Sequence, residues 1–465
     1  MSTPNTITIE APASKSVSHR TVLAAALASG ESIVHNVLES RDLSQTMAIL
    51  QAVGATISKQ KPGTYLVKGL NACPKGSSTK ENPVSCDVHE SGTTCRLLTA
   101  ILGAGQGWFR VHGAPRMHER PLAELIKVLR IQGAEVICEQ NEGYPPIIIN
   151  ASGFKEHYCE ISLDESSQYL SGLLLAAPFA LRNSREYKKH DSAQEITINI
   201  IGNKVVSFPY VALTLEILEL HKIPFNIELK DANGDWNSVN WREIQDFKPH
   251  NLRIKIKEAD YKAGEYIVEG DWSNASYFFA AGILGNKPLE IKGLKANSLQ
   301  GDKAIVSILR QMGAKIEEKA DGELTIFTVY PSKLKGISVD MSACPDLVPT
   351  VAVVAAFAEG TTHIYNVAHL KIKECDRIAV PAQSLRLAEV KAEEKEDGLI
   401  IYGGITKTAR TIALSTHQDH RIAMSLSLLE FAKIKPDFDD PSCVNKSFPN
   451  FWDKWKIVQD NLIEK

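Results

Sequence analysis

SVSHRTVLAAALASG, Ser16–Gly30, opens on serine, histidine and arginine and then runs into small apolar residues. Beyond Arg20 it has almost no polar face, so a helix built on it must be buried on all sides. The same design returns as SGTTCRLLTAILGAG (91–105), SSQYLSGLLLAAPFA (166–180), SNASYFFAAGILG (273–285), PDLVPTVAVVAAFAEG (345–360) and DHRIAMSLSLLEF (419–431). Counted from Ser16, Gly92, Ser166, Ser273, Asp346 and Asp419, the spacings are 76, 74, 107, 73 and 73 residues. Self-similarity at a near-constant period is the mark of a repeated supersecondary unit. Six copies are present, and the one long interval marks where something other than a repeat intervenes.

Between the buried segments lie amphipathic ones. Leu43, Met47 and Leu50 recur at helical spacing, as do Leu122, Leu125, Ile126 and Leu129, and again Ile305, Ile308, Leu309 and Met312. Three of these helices end on a Gly-Ala pair, at Gly54, Gly133 and Gly313, where glycine suits a left-handed C-cap. The last amphipathic helix is expected in FPNFWDKWKIVQDNLIEK. Short β-branched runs such as EVIC, IIIN, TIFTV and YIVEG read as strands. The chain is therefore α/β, with two domains of three repeats each and a crossover between them near residue 265. The segments 183–198 and 228–250 read as surface insertions.

The bulk properties narrow the class. The chain has 465 residues, too many for one ordinary core, with 44% hydrophobic and 23% charged residues. A net charge of −3 argues against a general nucleic-acid surface while leaving room for a local basic pocket. No run approaches the roughly eighteen apolar residues that span a bilayer, so no membrane partner is expected. The start, MSTPNTITIE, lacks a charged region leading into an apolar stretch, so no secretory signal is expected. Eight scattered cysteines without a CxxC pair fit reduced thiols in the cytoplasm.

Chemistry concentrates at the polar starts. Lys15 to Arg20, Ser91 to Arg96, Ser166 to Gln168, Asp346, and Asp419 to Arg421 open buried helices; Arg116–Arg120 and Lys373–Arg377 open amphipathic ones. Serine and aspartate at such places serve as N-caps. Capping does not explain Arg20, Arg96, Arg120, Arg377 and Arg421 with Lys15 and Lys373, because cations are disfavoured at the positive end of a helix unless an anion sits there. If these ends face one cleft, they form a strongly positive pocket suited to phosphate and carboxylate groups. Asp346 and Glu374 are the carboxylates in that set. Burial raises and neighbouring cations lower a carboxyl pKa, so either is a candidate acid or base. Glu374 has an equally good bland reading, an i,i+3 pair with Arg377. There is no P-loop and no GxGxxG; His417 and His420 open a helix rather than bind metal, and no metal site is expected.

SKSVSHR, SGTTCRL, PRMHERP, ESSQYLSGLLLAAP, YIVEGDWSNASYF, NSLQGD, KIKECDRI and DHRIAMSLSL resemble, in order and over nearly the whole chain, the signature segments of the EPSP synthase family of enolpyruvyl transferases. The resemblance implies two domains, each of three βαβαββ units with buried parallel helices, the active site in the interdomain cleft, and an N-terminal strand that belongs with the C-terminal domain, so that residues 15–265 form one domain and 1–14 with 266–465 the other. It implies transfer of the enolpyruvyl group of phosphoenolpyruvate to the 5-hydroxyl of shikimate 3-phosphate, through a tetrahedral intermediate, in the shikimate pathway to chorismate and aromatic amino acids. No metal or organic cofactor is implied, and the expected state is a cytoplasmic monomer.

By motif matching, the resemblance assigns Lys15, Ser16, Arg20, Ser166, Ser167, Gln168, Ser207, Asp346, His369 and Lys373 to shikimate 3-phosphate. It assigns Lys15, Gly92, Arg120, Gln168, Arg377, Arg421 and Lys446 to phosphoenolpyruvate. Asp346 is the implied base for the hydroxyl, and Glu374, helped by Lys15, the implied proton donor to the methylene; residues 15–265 are mainly the shikimate 3-phosphate side. Ala13, Glu90, Leu97 and His369 depart from the residues common in the family. Gly92 is retained, and a side chain there would crowd the inhibitor glyphosate. Two rivals stand beside this reading. The related transferase acting on UDP-N-acetylglucosamine has Lys-Asn in the first motif and a cysteine before Arg-Pro, whereas here Ser16 follows Lys15 and HGAPRMHERP has no cysteine. A non-catalytic anion-binding repeat protein would not need Asp346 and Glu374 among arginines.

Overall fold

All six polar-to-apolar segments are helical in the computed structural model, which describes residues 7–70, 73–183, 195–244 and 247–464. The helices are Lys15–Leu27, Gly92–Gly103, Gln168–Ala180, Trp272–Leu284, Val348–Ala356 and His420–Leu426. In the first, every residue from Val17 to Leu27 is buried, and in the fourth every residue from Trp272 to Ile283. Each large apolar side chain so enclosed contributes roughly 1.5–3 kcal/mol. The sixth helix is shorter than its segment, because Ser427–Ala432 winds on as a 3-10 helix.

One repeat shows how the elements connect. Val84–Asp87 pairs in parallel with Gln106–His112, which takes Ile147–Ser152 antiparallel on its other edge, followed by Glu135–Cys138. Parallel neighbours need a crossover, and the buried helix Gly92–Gly103 supplies it. The amphipathic helix Ala123–Ile131 makes the next connection and ends at Gly133, whose φ of +95° is left-handed, as are those of Gly54 and Gly313. The same order recurs in the sheet Ser338–Asp340, Thr361–Tyr365, Leu399–Tyr402, Ala392–Glu394. In the sheet built on Tyr158–Ser162 and Glu195–Ile201, Trp236–Ser238 adds an edge strand against Phe225–Lys230. Part of the stretch 228–250, expected as an insertion, is thus an edge strand; of the other expected insertion, residues 195–198 belong to the strand Glu195–Ile201, paired on both edges, and residues 184–194 lie outside the described residues. The last repeat keeps only the parallel pair Arg410–Leu414 and Ile434–Phe438, followed by the helix Phe451–Leu462.

The chain divides into two compact units, Lys15–Val268 and Met1–Ser14 with Glu269–Lys465. Each borrows a strand from a distant part of the sequence. Ile7–Glu10 runs parallel to Leu289–Lys292, and Glu265–Ile267 runs parallel to Ile33–His35. The first strand of one repeat therefore comes from the start of the chain, and the first strand of another from just before the return crossover. Among the described residues no helix is long and apolar enough to cross a membrane.

Within the Lys15–Val268 unit, Gly172 lets its helix lie against Gly92–Gly103: an added Cβ would sit 2.9 Å from Ala100 Cβ and 3.0 Å from the Arg96 carbonyl oxygen. Neither atom can swing away. Gly172→Val is expected to destabilise the protein by about 1–3 kcal/mol through overpacking. A urea midpoint equal to that of the unsubstituted protein would contradict this packing.

Candidate active site

In the Lys15–Val268 unit the helix starts are tied together by hydroxyls. Ser91 caps its helix by accepting from the Thr94 amide at 3.2 Å. Thr94 Oγ1 lies 2.8 Å from Thr46 Oγ1, which lies 2.9 Å from His19 Nδ1. Burial above all, then Lys15 and Arg20, hold the His19 imidazole well below its usual pKa, so it is neutral. Lys15 begins its helix and reaches Asp42 Oδ2 at 3.4 Å. Asp42 stands in the first turn of Arg41–Ala52, a helix capped by Ser40.

Arg20 is only 1% exposed. It donates to Thr214 Oγ1 at 2.8 Å, the Ser16 carbonyl at 2.9 Å, the Tyr210 carbonyl at 3.0 Å and Ser171 Oγ at 3.2 Å. These acceptors are neutral, and burial brings the guanidinium down to about 10, still cationic at neutral pH. Gln168 accepts from Arg96 Nη1 at 3.3 Å and donates to Thr93 Oγ1 at 3.0 Å, while its amide N–H meets Ser166 Oγ at 3.2 Å. Arg120 Nη1 donates to the Glu90 carbonyl at 3.4 Å. A Cβ on Gly92 would lie 2.5 Å from Arg120 Nη2, so a side chain there would push this guanidinium off its place over the helix start. Ser167 and Ser207 are buried, and Ser207 holds a left-handed φ of +56° just before the helix Pro209–Leu220.

In the other unit the two candidate carboxylates meet on one guanidinium. Arg377 Nη1 donates to Asp346 Oδ1 at 2.9 Å, and its Nη2 lies 2.9 Å from Glu374 Oε2. Asp419 takes the opposite edge bidentately, from Nε at 2.7 Å and Nη2 at 3.1 Å. Asp419 also caps the helix that carries Arg421, accepting its amide at 2.9 Å. Arg421 Nη2 donates to Asp346 Oδ2 at 2.8 Å and its Nη1 bonds Ser273 Oγ. Lys446 lies 3.6 Å from Glu374 Oε1. His369 is buried in the turn Ala368–Ile372, just before Lys373.

Burial alone would raise the Asp346 carboxyl; Arg421, Arg377 and Lys373 outweigh it and hold the group well below the usual carboxylate range. Burial works against Arg377 too, but Asp419, Glu374 and Asp346 keep it firmly protonated. Within this unit much of the positive charge is matched: Arg377, Arg421 and Lys446 meet Asp346, Glu374 and Asp419, with Lys373 a further cation acting on Asp346. A buried arginine without a counter-charge is costly, so these cations bring their anions with them.

Sequence reasoning placed Asp419 at a helix start without seeing that it aligns Arg377. Its position two residues before Arg421 was the available signal. Asp42, the partner of Lys15, carried none, since an aspartate after a capping serine reads as ordinary first-turn chemistry. The i,i+3 pairing of Glu374 with Arg377 is present.

The family model described as EPSP synthase (3-phosphoshikimate 1-carboxyvinyltransferase) matches residues 2–234 and 243–455. The chain is 34% identical over 447 residues to a 3-phosphoshikimate 1-carboxyvinyltransferase of Ralstonia pickettii, covering 96% of this chain and 95% of that protein. It is 36% identical over 451 residues to the protein of that name from Aliivibrio salmonicida, covering 96% of each. Among solved structures, an EPSP synthase from Acinetobacter baumannii superposes with a TM-score of 0.71 at 24% identity, covering 98% of this chain and 96% of that one, a likeness of fold.

Proposed function

This chain belongs to the EPSP synthase family, and from that premise we propose how its own residues carry the reaction. The reaction is transfer of the enolpyruvyl group of phosphoenolpyruvate to shikimate 3-phosphate, a step of the shikimate pathway. In our reading the 5-hydroxyl oxygen bonds to C2 of phosphoenolpyruvate while a proton goes to its methylene, giving a tetrahedral intermediate. Phosphate then leaves C2 and one methyl proton is lost, which restores the double bond in the ether product.

Lys15, Ser16, Arg20, Ser166, Ser167, Gln168, Ser207, Asp346, His369 and Lys373 hold shikimate 3-phosphate in this proposal. Lys15, Gly92, Arg120, Gln168, Arg377, Arg421 and Lys446 hold phosphoenolpyruvate. Asp346 takes the hydroxyl proton; Glu374, with Lys15, supplies the methylene proton. The observation that carries the reading is the sharing of Arg377 by Asp346 and Glu374, with Arg421 on the second Asp346 oxygen. Two guanidiniums aligned side by side suit a substrate with both a carboxylate and a phosphate. The eight free cysteines fit the proposed cytoplasmic setting, and a monomer is the proposed state.

The test is phosphate release. The purified protein should liberate phosphate when given shikimate 3-phosphate and phosphoenolpyruvate together, and not with either alone. Release with UDP-N-acetylglucosamine in place of shikimate 3-phosphate, or none in any combination, would overturn the proposal.

A further inference from the structure

Arg377 is 2% exposed and Arg421 6%, whereas the Asp346 side chain that bridges them is 20% exposed. The carboxylate is thus the outermost member of the cluster, between the guanidiniums and solvent. An anion arriving at these arginines finds their donors already engaged. Of the three carboxylates on Arg377, Asp419 has no freedom to yield: its side chain is 0% exposed, it is bidentate, it caps the Arg421 helix, and Cys375 Sγ donates to it at 3.4 Å. Glu374 lies 2.9 Å from Arg377 Nη2 and is also drawn to Lys446. Asp346 bridges the guanidiniums of Arg377 and Arg421, one oxygen to each.

We propose that Asp346 is an internal counter-anion, which occupies in the unliganded protein the place on Arg377 and Arg421 that phosphoenolpyruvate takes, and which the incoming substrate displaces. The inference rests on the reading of those arginines as the phosphoenolpyruvate pair. Its physical basis is charge balance. A bound anion beside an undisturbed Asp346 would set two like charges on the same donors, while an exchange keeps both buried cations neutralised throughout. The exchange also changes what Asp346 can do. On the arginines it is a weak base, held ionised against the pull of burial. Released from them, it loses the two contacts that do most to hold its charge, and so becomes a stronger acceptor for a hydroxyl proton. Arrival of one substrate thereby readies the base that activates the other, and the base stays quiet until then.

The prediction is opposite to that for an ordinary binding contact. With the full chain and no shikimate 3-phosphate present, calorimetric titration should show Asp346→Asn binding phosphoenolpyruvate and inorganic phosphate about tenfold or more tightly than the unsubstituted protein. Glu374→Gln should gain less. Equal or weaker anion binding by Asp346→Asn, or an equal gain in Glu374→Gln, would overturn the inference. Should Asp346→Asn not fold, the unsubstituted protein with ¹³C-labelled aspartate carboxyls carries the test, its Asp346 signal assigned through Asp346→Glu. Saturation with phosphoenolpyruvate must move that signal, and an unmoved signal would overturn the exchange. The underlying reading fails separately: it falls if the unsubstituted protein releases no phosphate from the two substrates, whereas an active enzyme without the affinity gain sinks the exchange alone.

Discussion

Lys15→Met is expected to lower kcat/KM by about 10³-fold or more, with both substrates bound more weakly. One cation in this position is proposed to serve two anionic substrates, and a donor aimed at developing charge is worth about 10²–10³ in rate by itself. The structure supplies a competing explanation. Lys15 pairs with Asp42, whose side chain is 5% exposed, so removing the ammonium also strands a buried carboxylate. The two effects separate in a double-mutant cycle. Adding Asp42→Asn to Lys15→Met should restore stability, read as the urea midpoint, and leave turnover lost. Turnover that returned in the double variant would reduce Lys15 to a partner of Asp42, and near-normal turnover in Lys15→Met alone would remove it from the mechanism.

Glu374→Gln should slow the chemical step by about 10²–10⁴-fold, the usual contribution of a positioned acid or base. Shikimate 3-phosphate affinity should be largely unchanged, because the work of Glu374 is on the other substrate. Its 2.9 Å contact with Arg377 and 3.6 Å approach to Lys446 define the alternative. If Glu374 only anchors those cations, the amide should alter phosphoenolpyruvate affinity or stability while the proton transfer proceeds. Exchange of solvent deuterium into the phosphoenolpyruvate methylene, with the shikimate partner present, discriminates: exchange at the unsubstituted rate in Glu374→Gln would refute the proton-donor role.

Several features were legible before any fold was known, each for a local reason. A run such as Val17–Leu27 has no polar side to offer water, so its burial follows from composition. The glycines that end the amphipathic helices take left-handed φ because a Cβ would resist it, and a Gly-Ala pair at that place announces it. The cationic helix starts were visible as violations of the dipole preference, and they pointed to anions. The same locality limits what could be read. A serine-aspartate pair at a helix start looks alike whether the aspartate caps, solvates or, as with Asp42, neutralises a lysine twenty-seven residues earlier in the chain.

By itself, then, the order of residues determined the repeat, the buried helices, the α/β class and the residues rich in anion chemistry, since all of these depend on side-chain type at short and regular separations. Three matters belonged to tertiary structure. Strands Ile7–Glu10 and Glu265–Ile267 find partners at Leu289–Lys292 and Ile33–His35. Backbone hydrogen bonding in a sheet edge does not depend on side-chain identity, so no pattern in either strand names its neighbour. Asp419 aligns Arg377 across forty-two residues of chain while capping its own helix, a double duty that only folding brings about. The charge of the Arg377–Arg421 cluster is the third. A count along the chain shows cations at helix starts; at Arg377 and Arg421 burial makes a counter-charge favourable, and the fold supplies it with Asp346, Glu374 and Asp419.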